Sequence, residues 1–411
     1  MRRAILLAGG ALIAGVFVFS RHGDGEPTTV KAQPAAMIQG APLVDKHAPA
    51  PVAAPTIDLD HITRAGDHYE APLSNGKRAV LTLDPALQEQ AEKLLDQARA
   101  PRGAIIAMAP DGRILALAGR RTEEPKGGTK GIADWHLATD VWAPSASVFK
   151  LVTASALVEA GVDPDDRVCY HGGIRSVTES NLTDSKRDGR CESLLYGVAH
   201  SNNAILGKLA YQKLEPSALA SMAHDLVGVA LPASLGFKAT DAELSLPHDK
   251  NLDFAQSAAG FHGARLSVLG GALLAATFAD GGEQPVPYLI ADQQPQSRHV
   301  LPADVAKAVS RMMVGTCEFG SAAKSFGKRR DGAPVAGKTG TLATNEPFYM
   351  ENSWFVGYAP ADKPEIIVAV LLGNPENWHL RGHEAARKLI DRALGHAIRR
   401  APDREARVGV R

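Results

Sequence analysis

Strand-forming segments lie near both ends of this 411-residue chain, and a long helical stretch separates them. Apolar segments at 103–108 and 114–118 flank Asp111-Gly112, a pattern typical of a β-hairpin. Three further strands are predicted closer to the carboxyl end, at residues 335–341, 353–358 and 366–372. This order predicts an α+β fold, in which a central antiparallel sheet is built from both chain ends, with flanking helices and a mostly helical insert.

Helices are expected on the faces of that sheet. Asp84 followed by Pro85 predicts a helix start, because proline at the first helical position loses no hydrogen bond. This helix should run to about Ala98, and a last helix should span about 383–398. Residues 145–315 show mostly helical spacing and form the predicted insert.

The amino-terminal segment predicts a membrane anchor. Arg2 and Arg3 precede an apolar run from Ala4 to Phe19, which is short for a bilayer span and long for a signal-peptide core. We favour an uncleaved anchor, with a cleaved signal as the alternative. The positive-inside rule leaves the arginines in the cytoplasm. The predicted location is therefore the inner (cytoplasmic) membrane, single-pass, with the folded part of the chain periplasmic or otherwise extracytoplasmic.

Composition divides the chain into four segments. Residues 1–20 are the predicted anchor, 21–77 a Pro/Ala-rich linker, 78–400 the main folded domain and 401–411 a carboxyl-terminal tail. The prolines between residues 24 and 57 favour extended conformations over a packed core. The linker should therefore hold the folded domain away from the membrane.

Charge and cysteine content narrow the possible functions. Lysine plus arginine and aspartate plus glutamate both number 45, so the net charge of zero gives no sign of a nucleic-acid partner. Three cysteines are too few for a disulfide framework. Cys169 and Cys191 flank a polar loop and could pair outside the cytoplasm or stay reduced, whereas Cys317 has no obvious partner. No metal-ligand spacing is present, and neither a metal nor a cofactor is expected.

Ser147 and Lys150 form the candidate catalytic pair. At the start of a helix, their spacing places the hydroxyl and the amine on one face. The apolar run from Leu151 to Ala160 predicts partial burial, which favours the uncharged amine. An uncharged lysine can take the proton from a serine nucleophile, and the helix amino terminus can stabilise an oxyanion.

Ser-x-x-Lys alone is a weak signal. The pattern occurs three more times in this chain, beginning at Ser74, Ser321 and Ser325. Context separates Ser147 from these copies, because Ser201-Asn202-Asn203 follows it at the start of another helical run. Gly337-Lys338-Thr339-Gly340-Thr341 then lies in a strand-like stretch.

These three motifs, in this order, resemble the signature of the penicillin-binding proteins and class A β-lactamases. The chain is most similar to monofunctional, class B-like penicillin-binding transpeptidases, over about residues 78–397. Four further stretches carry the likeness, at residues 81–88, 102–108, 149–154 and 353–361. Two stretches depart from the family pattern. Pro144-Ser145-Ala146 precedes the nucleophile in place of Pro-Gly, and Ala255-Gln256-Ser257 replaces a common Gly-Gln-Gly.

The resemblance implies a β-lactamase/transpeptidase-like fold and a peptidoglycan D,D-transpeptidase that also binds penicillin covalently. Ser147 would attack a D-alanyl-D-alanine stem peptide with Lys150 as base, and a second stem peptide would accept the acyl group. The remaining implied roles are proton relay by Ser201, electrostatics from Lys338, binding of the acyl-chain amide by Asn203, carboxylate binding by Thr339, substrate binding along Gly340 and Thr341, and an oxyanion hole from the N–H groups of Ser147 and Thr341. The implied partners are stem peptides, β-lactams, the inner membrane and other cell-wall synthesis proteins.

Several alternatives stay open at this point. A D,D-carboxypeptidase or a β-lactamase would use the same acyl-serine chemistry with water as the acceptor. A non-catalytic scaffold in a wall-synthesis complex is more distant. Residues 332–339 also match a phosphate-binding loop, but that loop needs a helix after it, which Gly340 and Pro347 disfavour.

Overall fold

The computed structural model describes residues 55–400, except for residue 123 and the segments 174–175, 233–234 and 328–331. The predicted anchor at 1–20 and the predicted tail at 401–411 lie outside the described residues. Within the described part of the chain, no helix has both the length and the apolar character needed to cross a membrane.

Sixteen strands are assigned within the described residues. They are β1 (Thr63–Ala65), β2 (His68–Pro72), β3 (Arg78–Leu81), β4 (Arg102–Met108), β5 (Ile114–Arg121), β6 (Ile132–Ala133), β7 (Ala143–Pro144), β8 (Arg167–Tyr170), β9 (Arg190–Ser193), β10 (Ala242–Leu244), β11 (Ala264–Leu266), β12 (Glu283–Pro285), β13 (Ser297–His299), β14 (Ala336–Thr344), β15 (Met350–Ala359) and β16 (Ile366–Asn374).

The described helices alternate with these strands. They are α1 (Pro85–Ala98), α2 (His136–Thr139), α3 (Lys150–Glu159), α4 (Leu194–Ala199), α5 (Asn203–Lys213), α6 (Pro216–Val227), α7 (Leu252–Ala258), α8 (Val268–Ala279), α9 (Ala303–Glu318), α10 (Ala323–Phe326) and α11 (Gly382–Arg400). Short 3-10 helices span Leu59–His61, Ala146–Phe149 and Glu179–Asn181.

The central sheet has six antiparallel strands in the order β14-β15-β16-β4-β5-β6. The junction between the two chain ends is the β16–β4 pair, where Leu371 lies opposite Ala104. All nine residues of β16 are buried, which explains why this strand reads as a continuous apolar run. The predicted α+β fold, with one sheet built from both chain ends around a helical insert, is therefore confirmed.

Helices cover both faces of this sheet. Helix α8 packs against β15, β16 and β4 on one face, and α1 and α11 pack on the other. Helix α8 begins where the Ser267 hydroxyl accepts the Gly270 N–H. A β-carbon added at Gly271 would lie 2.9 Å from the side chain of Val356, so glycine allows this helix to approach the sheet closely. Strand β14 is left at the sheet edge, beside the helical insert.

The boundary predicted between linker and domain at residues 77 and 78 differs from the structure. Residues 55–77 belong to the folded unit, and β1, β2 and β3 form a separate antiparallel sheet. Tyr69 and Ala71 on β2 are buried, while the residues between and beside them are half-buried. The composition of residues 55–77 did not indicate this sheet, because its strands are short and rich in charged residues. The alternation of their apolar residues is the signal that could have indicated it.

A disulfide joins Cys169 on β8 to Cys191 on β9, which decides the pairing that the sequence left open. The buried Lys208 on α5 connects this hairpin to the insert. Its Nζ donates to the Cys169 carbonyl oxygen and to Asp188 Oδ2, each at 2.8 Å. Cys317, on α9, is buried and is not part of a disulfide.

We expect loss of this disulfide to lower the free energy of unfolding by about 3 kcal/mol, because the bond closes a loop with a sequence separation of 22 residues. The test compares urea denaturation of the domain with that of a Cys169→Ser/Cys191→Ser variant. Wild-type protein unfolded in reducing agent is the matched control and should behave like the variant. Equal stability of oxidised and reduced wild-type protein would contradict this expectation.

Candidate active site

Ser147 lies in the 3-10 turn Ala146–Phe149, which leads directly into helix α3. Ala146 has φ +48°, in the left-handed region that favours glycine. This turn brings the chain out of β7 and starts the helix at the nucleophile. Ser147 and Lys150 are consequently one helical turn apart, as their spacing predicts.

Contacts from two other segments fix this turn. The buried Ser145 side chain donates to the Ala264 carbonyl oxygen at 3.0 Å. A β-carbon added at Gly260, whose φ is +87°, would lie 2.2 Å from the Ala146 carbonyl oxygen. Glycine at position 260 therefore allows its loop to pack directly against the backbone of the turn. Any side chain at this position would clash with the Ala146 carbonyl oxygen.

Lys150 is fully buried and its amine contacts three side chains at once. Its Nζ lies 2.7 Å from Ser147 Oγ, 3.3 Å from Ser201 Oγ and 2.6 Å from Asn203 Oδ1. Three polar partners match the three hydrogen-bonding directions of the amine. The base predicted for Ser147 is thus within hydrogen-bond distance of the hydroxyl that it would deprotonate.

A break between two helices positions Ser201 and Asn203. Helix α4 ends at Ala199, and Ser201 then takes a left-handed conformation with φ +57°. Asn202 Oδ1 accepts the Ile205 N–H at 3.1 Å and so caps the start of α5. Asn202 therefore has a structural role here, while its two neighbours face Lys150.

Lys338 reaches the same cluster from the edge strand β14. It is fully buried, and its Nζ donates to Ser201 Oγ at 3.0 Å and to the Thr339 carbonyl oxygen at 2.8 Å. A β-carbon added at Gly340 would lie 3.3 Å from the Ser147 backbone nitrogen. The Lys-Thr-Gly strand therefore runs immediately beside the nucleophile.

Burial and mutual repulsion set the charges of the two lysines. Burial lowers the pKa of Lys150 well below its usual value, and the positive charge of Lys338 lowers it further. Burial also lowers the pKa of Lys338, to about 7, against an opposing effect of Cys317. Lys150 is therefore the amine that loses its proton more readily, as a general base requires.

A cavity of about 290 Å³ opens in front of Ser147. Asn203, Gly260, Phe261 and Thr341 are among the residues that line it. The cavity thus joins the nucleophile to the predicted amide-binding side chain and to the strand edge. Thr339 is not among the residues that line this cavity. It lines a second cavity of about 700 Å³, which shares Thr341 and Glu351 with the first.

Sequence reasoning missed three residues that support the site. Ser321, discounted as a chance Ser-x-x-Lys match, has its Oγ 2.6 Å from Thr339 Oγ1. Trp354 is buried and donates its Nε1–H to the Pro144 carbonyl oxygen at 2.8 Å. Gly260 carried no motif at all. Only the fold brings these residues to the site, so no local signal could have found them.

Two other sequence hypotheses can now be compared with the structure. Residues 336–344 form a strand, so the phosphate-loop alternative, which requires a helix after the lysine, is excluded. Within the described residues, no cluster of three or more His, Cys, Asp or Glu side chains could hold a metal ion.

Known proteins resemble this chain in sequence. A relative from Neisseria flavescens, named "Probable peptidoglycan D,D-transpeptidase PenA", is 28% identical over 321 residues, which cover 73% of this chain and 77% of the relative. The protein of the same name from Neisseria meningitidis is 27% identical over 344 residues, but this chain spans only 57% of its length.

Solved structures share the fold at lower identity. Penicillin-binding protein A from Mycobacterium tuberculosis, solved as a ceftriaxone acyl-enzyme complex, aligns with a TM-score of 0.63 and 22% identity, covering 76% of this chain and 79% of that one. A D,D-transpeptidase domain from Eggerthella lenta aligns with a TM-score of 0.60 and 23% identity, covering 78% and 83% of the two chains.

A family model described as the penicillin binding protein transpeptidase domain matches residues 103–393. This range begins in β4 and ends in α11. It contains the central sheet except Arg102, the first residue of β4, together with the helical insert and every residue of the lysine–serine cluster. With most of its length matched, this chain belongs to the penicillin-binding protein transpeptidase family.

Proposed function

We propose that this protein is a peptidoglycan D,D-transpeptidase that forms an acyl-enzyme on Ser147. The observation that carries the proposal is the contact between the buried Lys150 amine and Ser147 Oγ, within a cluster that also holds Ser201, Asn203 and Lys338. The names of the relatives support the same activity. Peptidoglycan stem peptides would be the substrates, and β-lactams would acylate the same serine.

In the first half-reaction, uncharged Lys150 takes the proton from Ser147 Oγ as this oxygen attacks the penultimate D-alanine carbonyl carbon. The backbone N–H groups of Ser147 and Thr341 stabilise the oxyanion. The C–N bond to the terminal D-alanine then breaks. Ser201, which contacts both lysines, relays a proton to the leaving amine. Asn203 and Thr339 hold the acyl-chain amide and the substrate carboxylate.

The second half-reaction distinguishes this proposal from its closest alternatives. An amine acceptor yields a cross-link, whereas water yields D,D-carboxypeptidase or β-lactamase activity. A penicillin adduct that persists for minutes or longer would argue against a β-lactamase, because a β-lactamase hydrolyses its acyl-enzyme quickly. A non-catalytic scaffold would need neither lysine to have a lowered pKa.

We also propose that residues 1–20 anchor the protein in the cytoplasmic membrane, with its catalytic domain in the periplasm or its equivalent. The apolar run from Ala4 to Phe19 supports the anchor. The Cys169–Cys191 disulfide supports export, because such bonds persist in oxidising compartments. The full-length protein should remain in membranes after an alkaline carbonate wash and dissolve in detergent. Recovery in the soluble fraction would indicate a cleaved signal instead.

Benzylpenicillin should add once to the purified domain, and peptide mass spectrometry should locate the adduct on Ser147. Ser147→Ala should give no adduct, because the attacking oxygen is gone. Ser74→Ala is the matched control, since Ser74 begins another Ser-x-x-Lys copy far from the lysine–serine cluster in sequence. Adduct formation by Ser147→Ala, or its complete complementation of a deletion strain, would refute acylation at this residue as the function.

The acylation rate should depend on both lysines in a predictable direction. The rate should fall at acidic pH because Lys150 gains a proton. It should also fall above about pH 7 because Lys338 loses its proton. The Lys338 charge lowers the pKa of Lys150, so Lys338→Met should move the acidic limb to higher pH as well as slow the reaction. The rate of labelling by fluorescent penicillin, measured from about pH 5 to about pH 9, tests both limbs of this profile.

Lys77→Met is the control for this experiment, because Lys77 is exposed and belongs to the Ser74 copy of the motif. It should leave the whole pH profile unchanged. An acidic limb that stays in place in Lys338→Met would mean that the two buried amines are not electrostatically coupled.

A further inference from the structure

The cavity of about 700 Å³ that Thr339 lines extends beyond the residues that take part in the acylation step described above. Thr339 and Thr341 line it, and Thr341 also lines the smaller cavity that contains Ser147. The two cavities therefore meet at the Lys-Thr-Gly strand. Asn203, the proposed partner of the acyl-chain amide, lines the smaller cavity. Thr339, the proposed partner of the substrate carboxylate, lines the larger one, which therefore lies on the side of the leaving D-alanine.

Arg381 gives this larger cavity its positive charge. It is the one arginine or lysine among the lining residues that the structure describes, and Glu351 and Glu376 line the same space. Its guanidinium lies 5.4 Å from the centre of the Trp378 ring, which also lines the cavity. Among the described residues, the Arg381 guanidinium has no ion-pair partner. The backbone N–H of Arg381 donates to Glu384 Oε2. It is therefore an exposed, aromatic-supported cation able to bind a carboxylate.

The chemistry of the second half-reaction requires an amine to arrive on this side. Aminolysis of the acyl-enzyme is the chemical reverse of acylation by a peptide. The acceptor nitrogen must therefore approach from where the D-alanine nitrogen departed. The acceptor nitrogen bonds to the acyl carbon, the bond from that carbon to Ser147 Oγ breaks, and the proton released by nitrogen passes to Oγ. The rest of the acceptor must then occupy the cavity beyond Thr339.

We propose that this cavity is the acceptor subsite, and that it selects an amine whose carbon also carries a carboxylate, which Arg381 binds. The inference rests on the proposed transpeptidase function and names the chemical class of its second substrate. A cation and two carboxylates in one space complement a zwitterionic amino-acid end better than they complement a simple amine. Arg381 acts here as a specificity-determining residue.

The test uses an N-acyl-D-alanyl thioester as donor, because its leaving group carries no carboxylate. D-alanine and D-alaninamide compete as acceptors, and chromatography gives the ratio of the two products. Arg381→Gln should reduce the ratio of the D-alanine product to the D-alaninamide product by about tenfold. This is the effect expected from the loss of one charge-assisted hydrogen bond. Comparing variant with wild type cancels the different basicities of the two amines.

Two further variants complete this experiment. Arg381→Lys keeps the charge and should retain part of the preference for D-alanine. Arg113→Gln removes another exposed arginine, at the turn between β4 and β5, and should change nothing. In every variant the thioester should acylate Ser147 at the wild-type rate.

Two results would overturn the subsite, namely an unchanged product ratio in Arg381→Gln and an equal loss of both products. A wild-type protein that is not acylated, or that transfers its acyl group to neither amine, would instead contradict the proposed transpeptidase function. The two failures are therefore separate observations.

Discussion

Two buried lysine amines share one serine hydroxyl, and the organisation of the site depends on this contact. Lys150 and Lys338 both lie within hydrogen-bond distance of Ser201 Oγ. Burial lowers the pKa of both amines, and the positive charge of Lys338 lowers the pKa of Lys150 further. The helical insert supplies Lys150 and the sheet supplies Lys338. Packing of the insert against the edge of the sheet therefore lowers the pKa of the candidate base.

The turn that carries the nucleophile is held in an uncommon backbone conformation. A left-handed alanine costs on the order of 1 kcal/mol relative to glycine, and Ala146 takes the place of the glycine usual in the family. The Ser145 hydrogen bond and the close approach of Gly260 offset this cost. The departure from Pro-Gly thus leaves the geometry of Ser147 and Lys150 intact, because contacts with distant segments replace the freedom of the glycine.

The sequence predicted the sheet and the lysine–serine cluster for different reasons. Strands β4, β5, β15 and β16 are long and apolar, so their pattern is visible without any partner. Ser201 and Lys338 were found through motifs, since nothing in their local pattern places them beside Ser147. Short, charged strands such as β2 were missed because tertiary contacts decide their conformation. Arg381 was not singled out either, since only the β16–α11 connection brings it to β14.

The order of strands in the central sheet also determines when the protein can become reactive. Strand β14 is joined to β4, from the opposite end of the chain, only through β15 and β16. Ser147 therefore precedes Lys338 by most of the folded domain in the order of the chain. Such non-local pairing forms late and slowly. The second lysine consequently joins Ser147 only when the central sheet is complete.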